Sequence, residues 1–274
     1  MASTNTTSQL RCTQQGGPFS IIHIPAPTPA SNQVLIRQRV LALNLLDVKQ
    51  RDSFRHGAFP ERVVEPEGFV AKKPKGIGLE QAPSLPSCFI TAVCGIIHSL
   101  KIPLRFFQGT PTEGHAPPSI LVLGCNSCVG AAAIQLLRAA YPSLPIRATS
   151  STRHHHARVK EISATSIIDY KRFAAVANIR VASPKGAGVD TEISGVLDQA
   201  RSRRYAFVLT GDEIPLPEGV NKIAQVISSL TGLVDEGKYR VPLLARVVGQ
   251  RPEQLPDMLD EVKTVSGEKV VVTL

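Results

Sequence analysis

The stretch SILVLGCNSCVGAAAIQLLRAAY, Ser119–Tyr141, reads as an apolar run, a glycine-bounded turn and a helix. Ile120–Leu123 is short enough to be a buried strand, and helical spacing of apolar residues begins at Ala131 and runs to Ala140. Gly124 and Gly130 bracket Cys-Asn-Ser-Cys-Val. A strand, a glycine turn and a helix start form a phosphate cradle. Glycine lets backbone approach closely, and the first helical turn has N–H groups without intrahelical acceptors. Gly124-x5-Gly130 is a loose relative of the three-glycine dinucleotide fingerprint. The pattern equally suits an ordinary strand-to-helix crossover without a ligand. In the ligand-binding reading, Gly124, Asn126, Ser127, Cys128, Val129 and Gly130 meet the pyrophosphate or the adenosine side.

Strands and helices alternate outward from this stretch. Ile146–Thr149 is the second strand and His155–Ile162 a helix. Ile167–Tyr170 is the third strand, Val189–Ile193 the fourth and Tyr205–Leu209 the fifth. Such alternation predicts an α/β fold with a doubly wound parallel sheet. Pro86–Leu100 precedes it as a long apolar helix. Gln225–Glu236 and Leu255–Val262 follow as helices, and Gly267–Leu274 as a closing strand. The N-terminal third differs. Residues 1–16 are polar and read as loose. Phe19–Ile24, Val34–Val40, Ala58–Glu65 and Pro66–Pro74 read as short strands between Pro/Gly turns, as in a small barrel.

Composition bounds the function. The 274 residues suffice for one large or two ordinary domains, with 43% hydrophobic and 19% charged residues. A net charge of +9 suits a polyanionic ligand, yet the basic residues are scattered and Trp is absent, so nucleic-acid binding is not expected. The five cysteines are an odd number in mostly apolar surroundings, which predicts thiols in a reducing compartment, the cytoplasm. Cys125-x-x-Cys128 has redox-pair spacing, but it lies within the glycine turn and has no second pair. No apolar stretch reaches the about 20 residues of a membrane helix, and no signal core opens the chain. His154, His155 and His156 point in different directions on a helix, so no metal site is expected.

The end of the second strand discriminates between nicotinamide cofactors. A carboxylate there would bond the ribose 2′-hydroxyl. This chain has Thr149, Ser150, Ser151, Thr152 and Arg153, hydroxyls and a guanidinium suited to a 2′-phosphate. If a dinucleotide binds, NADPH is expected.

The chain resembles the medium-chain dehydrogenase/reductase superfamily, in its zinc-free branch of quinone-oxidoreductase-like proteins and fungal enoyl reductases. Val40–Lys49 looks like the family segment entering the substrate cleft, and Gly57–Val64 like a later barrel strand. Leu85-Pro86 with Thr91-Ala92 looks like the helix entering the cofactor domain. Ile120–Gln135 looks like the cofactor turn, and Val265–Val272 like the C-terminal strand. The resemblance implies a GroES-like β-barrel catalytic domain from residues 1–84 and 241–274, and a Rossmann domain over 85–240. It implies NADPH-dependent reduction of an activated C=C or C=O bond of an enoyl, enone or quinone substrate, in fungal secondary metabolism. By the same resemblance, Asn44, Asp47 and Lys49 touch nicotinamide or substrate, and Tyr170 closes over the adenosine end; the residues themselves suit equally a loop that caps itself and a strand-end aromatic at the surface. Thr91 either orients nicotinamide or substrate or bonds its own helix turn. The family's zinc-ligand sets are missing, so no zinc is expected, and unpaired strand edges of a shortened barrel predict poor solubility or a homodimer that covers them.

Three departures accompany it. The family carries a long block where this chain passes directly from Lys49 to Gly57. Shorter losses fall between Gly211 and Leu233 and near Ser194–Asp198. They leave the barrel incomplete and the Rossmann domain shortened. A catalytically inactive relative, acting as an NADPH-binding or accessory protein, is the alternative expectation.

Overall fold

A computed structural model describes residues 6–12, 14–44, 47–48, 58–107, 115–150, 156–169, 171, 223–250, 252–265 and 268–274. Six short strands come first: β1 (Thr6–Cys12), β2 (Phe19–Pro25), β3 (Gln33–Arg37), β4 (Val40–Ala42), β5 (Ala58–Pro60) and β6 (Arg62–Pro66). Helix α1 (Pro86–Cys94) leads to β7 (Ile120–Val122), α2 (Cys128–Ala140), β8 (Ile146–Thr149), α3 (His156–Glu161) and β9 (Ser166–Ile168). The described chain closes with α4 (Ile223–Asp235), β10 (Leu244–Gly249), α5 (Leu255–Glu261) and β11 (Glu268–Thr273). The expected strands Val189–Ile193 and Tyr205–Leu209 lie outside the described residues.

The chain divides into two compact units, one of Met1–Ser84, Leu209–Ile227 and Leu244–Leu274, the other of Leu85–Val208 and Ser228–Leu243. In the first, β1 lies between β2 and β5, β3 pairs β6, and β11 lies between β10 and β4. Both chain ends therefore build this unit. Leu10, Leu43, Val48, Leu255, Met258, Leu259, Val270 and Val272 form its core. The pair β10–β11 is parallel, with α5 as its crossover, whereas β11–β4 is antiparallel.

In the second unit β7, β8 and β9 are parallel and in sequence order, as the alternating pattern predicts. β8 is buried along its whole length. Phe89, Leu85, Ile102, Leu104, Ile134, Leu136, Leu137, Ile146 and Tyr239 are the largest of its fully buried side chains. The Tyr239 ring meets Phe89 edge-on, centroids 5.2 Å apart.

Several local expectations need correction. Residues 6–12 are not loose. β1 hydrogen-bonds on both sides, from Thr6↔Pro25 to Cys12↔Phe19 and from Gln9↔Pro60 to Arg11↔Ala58. Thr7, Leu10 and Cys12 are buried, a signal masked by the polar residues between them. Val34–Val40 is not one strand. Gln38 donates its N–H to the Glu61 carbonyl at 2.8 Å, and beyond it the chain leaves β3 for β4, in another sheet. Pro66–Pro74 is not a strand, for Glu67–Phe69 forms a single 3₁₀ turn. The helix from Pro86 widens at Gly95–Ser99 into a π turn, with Leu100 N–H bonded to Gly95 O at 3.0 Å. Ala82–Ser99 comes nearer to membrane-span composition than the sequence reading allowed, with 18 residues at a mean hydropathy of 1.3, but Phe89, Ala92, Val93 and Ile96 are core residues.

Candidate functional site

The glycine turn is tighter than the sequence spacing implied. Helix α2 begins at Cys128, so the turn is Gly124–Ser127. Gly124 has a φ of +61°, a conformation glycine adopts without strain. Ser127 N–H reaches back to Gly124 O at 2.9 Å. Ser127 itself is extended, and its hydroxyl accepts from Gly130 N–H at 3.0 Å. A serine N-cap starts the helix three residues earlier than apolar periodicity shows. Gly130 is there for space. A Cβ on it would stand 2.5 Å from Gly124 O and 3.1 Å from Cys125 Cα. Strand end and helix start thus lie closer than any other residue allows.

The turn is tied to the end of β8. Asn126 Nδ2 donates to Ser150 Oγ at 2.9 Å, and the Cys125 thiol donates to Thr149 O at 3.0 Å. Ser150 N–H continues the ladder to Ile168 O at 3.0 Å. Thr149 and Ser150 are both buried. These bonds bring together Gly124, Asn126, Ser127, Gly130, Thr149 and Ser150, with Cys128 and Val129 forming the first turn of α2. Ser151, Arg153 and Tyr170 lie outside the described residues.

The cysteines of the turn are both thiols, outside any disulfide. Burial pushes the Cys125 thiol up to about 11, so it is no thiolate near neutral pH. Cys128 instead packs with Cys88, Leu243 and Val129. The carboxamide of Gln135 on α2 braces the unit further. It donates to Arg240 O at 3.2 Å and accepts from Arg240 N–H at 2.8 Å.

The second cluster lies in the other unit. Asn44 N–H donates to Asp47 Oδ2 at 2.6 Å, and Asp47 N–H returns to Asn44 O at 3.0 Å. Asn44 Nδ2 donates to Ala42 O at 3.3 Å, and Lys269 Nζ donates to Asn44 Oδ1. Lys269 is only 8% exposed. Burial pushes the Asp47 carboxyl above its ordinary 3.8, opposed by the Asn44 N–H and the Lys269 cation. Lys49 lies outside the described residues. Lys269 was given no role by sequence reasoning. Its signal was a lysine directly before the buried valine run of the closing strand. Thr91 bonds its own helix, Oγ1 to Ser87 O at 2.8 Å. No group of three metal-ligating side chains occurs among the described residues.

No family model matches the chain. The trans-enoyl reductase caaB of Aspergillus niger is 32% identical over 262 residues, covering 78% of this chain and 70% of that protein. The chain belongs to the medium-chain dehydrogenase/reductase superfamily. The dehydrogenase azaJ of Aspergillus niger is 29% identical to this superfamily member over 249 residues, 80% of this chain and 70% of that one. The solved CurK enoyl reductase superposes with a TM-score of 0.74 over 97% of this chain and 99% of its own, at 17% identity. The synaptic vesicle membrane protein VAT-1 homolog-like protein of human does so with 0.73 over 98% of each chain. These likenesses establish the superfamily's fold, a Rossmann domain with a GroES-like domain. The superfamily's enzymes are oxidoreductases that use nicotinamide cofactors.

Proposed function

We propose that the chain is an NADPH-dependent reductase of an activated C=C bond, of enoyl or enone type, in fungal secondary metabolism. The observation that carries the reading is the Gly130 cradle, tied by Asn126 to the buried, carboxylate-free end of β8 at Ser150. A dinucleotide fits these groups. The α2 N-terminus and its glycine turn suit a pyrophosphate. Thr149 and Ser150 add hydroxyls at the strand end where a carboxylate would disfavour a 2′-phosphate. Several curated relatives carry the name trans-enoyl reductase, which favours a C=C acceptor.

In this reading the chain's own residues bind and orient. The first-turn N–H groups of α2 meet the pyrophosphate, and Ser150, held by Asn126, meets the ribose side. When bound, NADPH supplies the hydride that adds to the β-carbon of the acceptor. Electron density then moves to the acceptor carbonyl oxygen, where a nearby N–H donor stabilises it. Solvent delivers the proton to the α-carbon. The unlinked thiols support a cytoplasmic setting.

A second reading is an NADPH-binding relative without turnover. It is favoured by the Asn44–Asp47 corner, whose polar groups already satisfy one another and Lys269. The experiment that separates the two pairs an NADPH-consumption assay over enones, quinones and enoyl thioesters with NADPH binding by calorimetry. Binding with turnover supports the reductase. Binding without turnover favours the second reading, and absence of binding overturns both.

A further inference from the structure

A cavity of about 460 Å³ lies wholly within the first unit, a size usual for a small-molecule site. Its apolar floor follows from strand register. Leu10 of β1 pairs with Ile21 of β2 on one side and with Phe59 of β5 on the other, so these three side chains stand in a row across one sheet face. Leu274 adds to the apolar lining, and a further wall is Arg37–Arg39, where the chain passes from β3 to β4. Backbone bonds hold these walls together. Glu61 N–H donates to Ser8 O, Gln38 N–H to Glu61 O and Leu274 N–H to Arg39 O, each at 2.8 Å.

The charged side chains of the lining are not equivalent. Arg37 Nε lies 3.3 Å from Glu61 Oε1, so these two charges compensate one another. Among the described residues, no carboxylate stands within ion-pair distance of the Arg39 guanidinium. Arg39 is thus an uncompensated cation in a largely apolar lining. A guanidinium holds a carboxylate by two parallel N–H···O bonds. An apolar chain attached to that carboxylate would cover the row beside it, where Ile21 is 37% exposed. A second negative charge on the ligand would meet Glu61 in the same lining and be repelled. We propose that this cavity binds a linear amphipathic monocarboxylate of the fatty-acid class, its carboxylate on Arg39 and its chain along Ile21, Leu10 and Phe59. All lining residues belong to the first unit, so the site is apart from the dinucleotide groups of the second and does not rest on the reductase reading.

The test uses the full-length protein with octanoate as the probe. The controls are 1-octanol, with the same chain and no charge, and octylammonium, with the opposite charge. Binding is read from backbone amide shifts in NMR titrations. Octanoate should move the signals of Leu10, Ile21 and Phe59 saturably. The alcohol and the ammonium should bind about tenfold more weakly or worse, the worth of one hydrogen bond to a charged group. Arg39→Gln, at an exposed position outside the core, should lower octanoate affinity to that of octanol. Ile21→Asn, also exposed, should weaken octanoate and octanol alike.

Equal affinity of wild-type protein for octanoate and octanol would overturn the proposal, and so would unchanged octanoate affinity in Arg39→Gln. Shifts at Gly124–Gly130 in place of Leu10, Ile21 and Phe59 would put the probe at the dinucleotide turn and overturn it too. The wild-type titrations decide even where a variant does not fold. A protein that binds octanoate as expected but binds no NADPH loses the reductase reading and keeps this site.

Discussion

Gly130 is the residue at which the cofactor reading is most exposed to test. A Cβ there meets backbone atoms of Gly124 and Cys125, which cannot rotate away. Gly130→Ala should therefore cost about 1–3 kcal/mol in a denaturant melt, as forced overpacking does. It should also weaken NADPH binding more than Ala131→Gly in the following turn. Equal stability and binding in Gly130→Ala would mean that the two segments are not held at this distance. Asp47 gives a test by pH. Its carboxyl binds a proton more tightly in the folded protein than at its ordinary 3.8, with burial the main cause and Lys269 opposing it. The folded state thus holds more protons than the unfolded state above that value, so this group's contribution to stability falls as pH rises through its titration. Urea melts across that range should show wild-type protein losing stability relative to Asp47→Asn with rising pH, and the difference flattening at more acid pH. A relative gain with rising pH would mean that Lys269 outweighs burial.

Elements carry the next scale. Helix α2 owes its start to Ser127, whose hydroxyl takes the Gly130 N–H. Ser127→Ala should destabilise the protein by about 1 kcal/mol, measured by urea unfolding, and Ser127→Asp should largely restore it. No change in the alanine variant would remove the cap from the account of the turn. The start of α2 was only half legible in sequence. Apolar spacing located the helix at Ala131, because Ser127, Cys128 and Val129 carry no periodic signal of their own. β10 shows the opposite case. It is an edge strand among the described residues, with Leu244 58% and Val247 45% exposed. Paired edges of two copies would cover these side chains, and homodimerisation through β10 is the proposal that follows. Val247→Lys should shift sedimentation toward a single chain, whereas an unchanged profile would place any dimer contact elsewhere.

At the scale of the whole molecule, one ligand should stabilise the fold. NADPH at about 100 times Kd adds about 2.7 kcal/mol to a protein with one site. The thermal midpoint should therefore rise with NADPH and hardly move with NADH. Equal shifts would mean that the end of β8 does not read the 2′-phosphate.

The sequence by itself determined the parallel β7–β8–β9 core, because buried strands and amphipathic helices leave local periodic traces in their own residues. It also determined the glycine pair of the turn before α2 and the lack of a carboxylate at Thr149–Ser150, which are matters of residue identity. Only the tertiary structure decided that β1 is an inner strand, since the residues it pairs with lie 7 to 51 positions downstream and its own residues alternate weakly. Only the structure joined Asn126 to Ser150, across 24 residues, and Lys269 to Asn44, across 225. Periodicity reports which face of an element is buried. It carries no information about which distant polar group will meet a buried amide or cation, because that pairing is set by strand register and chain closure.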